Sequence, residues 1–176
     1  MPKAIICVAH GYCLNRSMQE PVHIFLADDD ADDRGLFYEA IRGTGSSVEL
    51  TLANNGDELL ESLGKIQTAF PRIIFLDLNM PIKNGHEALR DIRNDERLKS
   101  IPVYIYSTST DPTDIDKSFE EGADFYIAKP SSFSDLKYII KSVLGLNRKV
   151  HLPPAKESFV LQSSSPQSEG LPGSIT

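Results

Sequence analysis

From Val22 to Leu146 the chain keeps switching between two hydrophobic periods, and few folds accommodate that. Short apolar runs suit strands, and longer segments with apolar residues every three or four positions suit amphipathic helices. The strand-like runs are Val22 to Ala27, Val48 to Ala53, Arg72 to Leu76, Val103 to Tyr106 and Asp124 to Ala128. Helical segments follow each: 31–42, 57–67, 86–94, 113–121, and a last one capped by Ser131 or Ser134. Leu36, Phe37, Ala40 and Ile41 share a face of the first, and Leu136, Ile139, Ile140, Val143 and Leu144 a face of the last. Turn residues separate the units: Gly43-Thr44-Gly45, Asn54-Asn55-Gly56, Asn84-Gly85 and Gly122.

Five strand–helix units with short connections imply a parallel sheet with right-handed crossovers. Arg72 to Leu76 is the most uniformly apolar strand, as suits the centre of a sheet covered on both faces. The expected class is therefore α/β, a flavodoxin-like doubly wound (βα)5 domain with a five-stranded parallel sheet in the order 2-1-3-4-5.

The flanks differ in composition. With 40% hydrophobic residues among 176, the chain can bury one domain's core, which we bound at residues 21–146. Residues 1–20 read as a poorly ordered extension. A short apolar run, Ala4 to Ala9, is interrupted by His10 and Gly11, unlike a signal peptide. Met18 is an alternative first residue. Cys7, His10 and Cys13 are spaced like metal ligands but lack a fourth. Two cysteines make no disulfide framework, which fits a cytoplasmic setting. Residues 147–176, with Pro153-Pro154 and Ser163-Ser164-Ser165-Pro166, read as a disordered tail with no room for an output domain. A net charge of -7 argues against nucleic-acid partners, and no apolar run is long enough for a membrane span.

The chemistry lies at the strand ends. Asp28-Asp29-Asp30 follows the first strand, Asp77 the third, Ser107 the fourth and Lys129 the fifth. In open α/β sheets ligands bind at that carboxyl edge. Carboxylates, a hydroxyl and an ammonium gathered there suit a divalent cation plus a phosphoryl group.

The segments Phe25-Leu26-Ala27-Asp28-Asp29-Asp30, Phe75-Leu76-Asp77-Leu78-Asn79-Met80-Pro81, Tyr106-Ser107-Thr108 and Ala128-Lys129-Pro130 resemble response-regulator receiver domains. The chain looks most like single-domain regulators, including those that pair with phytochrome kinases. The resemblance implies a phosphorelay switch in which Asp77 accepts a phosphoryl group from a histidine kinase or phosphotransfer protein. It implies Mg2+ held by Asp29, Asp77 and the backbone carbonyl of Asn79, with Asp28 acting through a metal-bound water. Lys129 would neutralise one phosphoryl oxygen and Ser107 would hydrogen-bond another. Tyr126, three before the lysine, would change rotamer as Ser107 moves. The surface of the fourth helix, fifth strand and fifth helix would then repack, and family members often dimerise there. Such a protein catalyses only its own phosphorylation and dephosphorylation. Thr108 stands where the family often has alanine or glycine, and its bulk would crowd access to the phosphoryl group. Asn79 and Ser109 flank the expected water path.

Other readings compete. Asp28, Asp30, Asp32 and Glu39 have calcium-loop spacing, but Asp33 replaces the required glycine. Asp30 and Asp32 also suit a helix start. A haloacid-dehalogenase-like phosphatase would use Asp28 as nucleophile and Asp30 as acid, leaving Asp77 without a role and lacking a later acidic pair. A receiver-like module that is never phosphorylated is a third possibility. His23 and His86 have no partner spacing and carry no assigned chemistry.

Overall fold

The computed structural model describes residues 21–67, 70–145 and 155–161. The expectations for residues 1–20, including Cys7, His10 and Cys13, lie outside the described residues, as does most of the C-terminal tail. The five units occur in the expected order: β1 (Val22–Ala27), α1 (Ala31–Arg42), β2 (Val48–Ala53), α2 (Gly56–Gly64), β3 (Ile73–Leu76), α3 (Gly85–Asn94), β4 (Val103–Ser107), α4 (Pro112–Glu120), β5 (Phe125–Ala128) and α5 (Phe133–Gly145). A 3-10 turn (Lys156–Ser158) and a short strand β6 (Val160–Leu161) follow.

The helices start where side chains meet their unpaired amides. The Asp30 carboxylate accepts from the Asp32 and Asp33 amides at the head of α1. Asn84 and Glu87 form a reciprocal capping box on α3. The cap of α5 is neither Ser131 nor Ser134 but Ser132, whose hydroxyl accepts from the Asp135 amide at 3.1 Å. Ser134 instead lies within the helix.

Strand alternation sends side chains to two cores. Ile24, Leu26, Ile73, Phe75, Tyr104, Tyr106, Phe125 and Ile127 pack on one face with Phe37 and Ile41 of α1 and Ile139 and Ile140 of α5. Phe25, Ile74, Leu76, Val103, Ile105 and Tyr126 pack on the other with Leu59 and Leu63 of α2, Leu89 and Ile92 of α3, and Phe119 of α4. Two faces covered by helices explain why β3 and β4 are buried throughout.

The strand order is β2-β1-β3-β4-β5-β6, and all pairs are parallel. The doubly wound 2-1-3-4-5 core stands as expected, but the sheet has six strands rather than five. Residues 155–161, expected within a disordered tail, are ordered because Phe159 is buried between α4 and β5 and Val160–Leu161 pairs with Tyr126–Ile127.

Candidate functional site at the carboxyl edge

Strand order reverses at β1, which lies between β2 and β3, and that switch point opens the crevice where loops diverge. Register fixes the acidic residues there. The Asp77 amide donates to the Ala27 carbonyl (2.9 Å) and the Asp28 amide to the Ala53 carbonyl (3.1 Å). Two carboxylates therefore leave adjacent strands at one level. Asp28 is buried and Asp77 nearly so, while Asp29 is exposed at the rim. Ligand oxygens of Asp28, Asp29 and Asp77 all lie within 4.8 Å of one another.

Lys129 enters from the end of β5, where its amide donates to the Ser107 carbonyl at 2.8 Å. Its Nζ sits 2.8 Å from Asp28 Oδ2, 2.8 Å from Asp33 Oδ2 and 3.2 Å from Asp77 Oδ2. It also lies 5.5 Å over the Tyr106 ring. Burial would lower its pKa, but the carboxylates of Asp28, Asp33 and Asp77 outweigh that and hold the ammonium well above the usual lysine range. Burial likewise pushes the Tyr106 phenol up.

The Asp28 carboxyl is held above the ordinary aspartate value. Burial raises its pKa, opposed by Lys129 and by the Asp30 amide, which donates to Oδ1 at 3.0 Å. Its Oδ2 faces the Lys129 ammonium at 2.8 Å and meets no other donor among the described residues. Three carboxylates converging here offer the hard oxygen ligands that suit a divalent cation. Asp77 presents one oxygen to Lys129 and the other to the Leu78 and Asn79 amides at 2.7 and 3.4 Å.

Ser107 is fully buried, and its Oγ accepts from the Ser109 amide at 3.3 Å. The Tyr126 hydroxyl donates to the Ser109 carbonyl at 2.8 Å, and burial raises its pKa. Ser107 and Tyr126 thus meet the same short loop. Asn79 and Thr108 are exposed. Thr108 and Lys129 line one cleft of about 490 Å3 together with Asp33 and Tyr106.

Asp33 is the residue the sequence reading missed. It stands in the first turn of α1, just after the acidic run that follows β1, and that closeness in sequence is the signal that could have found it. The calcium reading fails on its own residues: the Asp30 carboxylate caps α1, and Glu39 pairs with Arg42 at 3.3 Å. His86, which carried no assignment, pairs with Glu121 at 2.6 Å, and Arg90 joins the same carboxylate at 3.0 Å. That cluster ties α3 to the end of α4.

Comparison with known proteins places the fold in a family. The response regulator receiver domain model matches residues 24–141. A probable methanogenesis regulatory protein, FilR2, from Methanothrix harundinacea is 31% identical over 137 residues, covering 74% of this chain and 88% of that protein. The phosphorylated cyanobacterial phytochrome response regulator RcpA superposes with a TM-score of 0.64 at 34% identity, covering 70% and 91% of the two chains. The Mn(2+)-bound form of response regulator Rcp1 superposes with a TM-score of 0.65 at 28% identity, covering 77% and 100%. Among the described residues no helix is long and apolar enough to cross a membrane. A doubly wound sheet with acidic residues and a lysine converging at its switch point, matched along most of its length, makes this chain a member of the response regulator receiver domain family.

Proposed function

We propose that Asp77 is the phosphoacceptor of a two-component switch, with Asp28, Asp29 and the Asn79 backbone carbonyl completing a Mg2+ site. The observation that carries this reading is the convergence of three carboxylates within 4.8 Å beside a buried lysine. In the transfer, an Asp77 oxygen forms a bond to phosphorus as the N–P bond of a donor phosphohistidine breaks. The electron pair stays with the imidazole, which takes a proton. Bound Mg2+ would offset the repulsion between anionic donor and anionic acceptor. Lys129 supplies a second positive charge, against the Asp28 and Asp77 carboxylates. Ser107 donates its hydroxyl to a phosphoryl oxygen, and Tyr126 follows the loop that moves with it.

The donor is a sensor histidine kinase or a phosphotransfer protein, and the likeness to RcpA favours a kinase of phytochrome type. The reaction belongs in the cytoplasm, and the protein turns over only its own phosphoryl group. The surface of α4, β5 and α5 is the output face and the candidate homodimer contact. A phosphatase built on Asp28 and Asp30 is disfavoured, because Asp30 serves as the N-cap of α1, with one carboxylate oxygen accepting from two helix amides.

Intact mass after incubation with acetyl phosphate tests the reading. Wild type gains one phosphoryl adduct that requires Mg2+, and Asp77→Ala gains none. An adduct that survives in Asp77→Ala would assign the wrong acceptor, and steady turnover of small phosphoesters would favour the phosphatase.

A further inference from the structure

We propose that Asp33 competes with the phosphoryl group for Lys129, and so sets a charge barrier that selects among phosphoryl donors. The inference rests on the phosphoacceptor reading above and adds a positioning residue to it. An ammonium has three protons to give. Three carboxylates already face that of Lys129: Asp28 Oδ2 at 2.8 Å, Asp33 Oδ2 at 2.8 Å and Asp77 Oδ2 at 3.2 Å. No proton is left over for a phosphoryl oxygen. A phosphoryl group on Asp77 brings up to about two further negative charges, so one of the present partners must release the ammonium.

Burial decides which one. The Asp28 side chain is 0% exposed and that of Asp77 7%, whereas Asp33 keeps 32%. Withdrawing the ammonium from a buried carboxylate leaves a charge without solvent, but Asp33 can take up water in its place. Asp33 also lies in the first turn of α1, where the helix dipole favours a carboxylate with or without a lysine beside it. It stands outside the trio Asp28, Asp29 and Asp77 whose oxygens converge, so Lys129 rather than a metal in that trio answers its charge. Asp33 and Lys129 line the same cleft as Thr108, which keeps the pair in reach of water.

Asp33 thus holds Lys129 through a contact that is short but inexpensive to exchange. Until that exchange, its negative charge sits one hydrogen bond from the ammonium that must receive the phosphoryl oxygen. A donor with a high negative charge feels this most. With acetyl phosphate, an Asp77 oxygen bonds to phosphorus as the P–O bond to the acetyl group breaks, and acetate leaves with the electron pair. With phosphoramidate the P–N bond breaks instead and ammonia leaves with the pair. Phosphoramidate carries less net negative charge at neutral pH, so Asp33 hinders it less.

The test is the rate of Mg2+-dependent adduct formation, read by intact mass on the full chain. Wild type, Asp33→Asn, Asp33→Ser and Asp33→Glu are each compared with both donors. Removing the charge should raise the acetyl phosphate rate about tenfold, and the phosphoramidate rate by a smaller factor. Calorimetric affinity for trifluoroberyllate, a non-covalent mimic of the aspartyl phosphoryl group, should rise in the same two neutral variants. Asp33→Glu keeps the charge and should stay near wild type in every readout. A merely structural role would sort neither the variants by their charge nor the donors by theirs. An equal gain with both donors overturns the competition, and so does an Asp33→Glu variant that behaves like the neutral ones. Unchanged or slower phosphorylation in a folded neutral variant overturns it as well, and leaves the acceptor standing. Absence of any adduct in wild type with both donors and Mg2+ removes the acceptor reading and this inference with it.

Discussion

Lys129 is the counter-ion that lets carboxylates share a buried corner, and its removal separates charge from packing. Asp28 is wholly buried and Asp77 nearly so, so a neutral Lys129→Met leaves both without the ammonium they face. Breaking a buried pair from one side costs about 3–5 kcal/mol. Saturating Mg2+ should restore much of that loss, because a bound cation neutralises the same oxygens. Urea unfolding with EDTA and with Mg2+ checks it, and an equal loss in both conditions would mean Lys129 acts by packing. Asp28 adds a pH signature. Burial holds its pKa above the ordinary aspartate value, so the stabilisation from its proton is full below that ordinary value and fades as pH rises through the raised one. Cation binding needs the carboxylate and runs oppositely: Mg2+ affinity should climb through the same window and release a proton within it. Calorimetric titrations across that window should show this dependence flattened in Asp28→Asn. Asp28, Asp29, Asp77, Ser107 and Lys129 were legible as strand-end residues of unusual type. Asp33 was not, because in a run of five acids around a helix start, capping and dipole preferences explain each acid without any site.

At the scale of elements, the loop from β3 to α3 shows how backbone geometry holds the acceptor. Gly85 opens α3 against the backbone of Asp77, and a Cβ there would fall 2.1 Å from the Asp77 carbonyl oxygen. Backbone cannot yield as a side chain tip does. Gly85→Ala should cost about 1–3 kcal/mol or more and should slow adduct formation by shifting Asp77; a fully stable variant with normal phosphorylation would refute the close approach. Ile82 in the same loop has φ 69°, and the Lys83 amide donates to the Pro81 carbonyl at 2.8 Å, which makes a strained γ-turn at a β-branched residue. It is 81% exposed, so no packing argues for isoleucine there. Ile82→Gly should therefore raise stability by about 1 kcal/mol, measured as a higher urea midpoint at unchanged slope. The helices and five strands were legible because each carries a full period of apolar residues. Strand β6 was not, since two residues show no period. Its signal was the apolar triplet Phe159-Val160-Leu161 in a polar, proline-rich stretch.

The whole molecule divides its work between the two ends of the sheet. The carboxyl edge gathers like charges around one lysine and gives up stability for reactivity. The amino edge carries a staple the sequence did not reveal, since its partners lie far apart along the chain. Arg93 of α3 donates to the carbonyls of Gly122 (2.8 Å) and Ile101 (2.9 Å) and to the Asp124 carboxylate (3.0 Å). Asp124 in turn accepts from the Val103 amide at 2.8 Å. One guanidinium thus joins α3 to the starts of β4 and β5, and only its five-donor fork spans these acceptors. Arg93→Met keeps the side chain's apolar stem but strips the guanidinium from a buried carboxylate, with an expected loss of about 3–5 kcal/mol. The site is at the other end of the same strands, and no residue of the staple faces it. The folded fraction of Arg93→Met should therefore form the Mg2+-dependent adduct at the wild-type rate, read by intact mass at a temperature well below its lowered melting point. A slowed reaction in fully folded protein would mean that the amino edge helps to set the position of Asp77 and that the two ends are coupled through the strands.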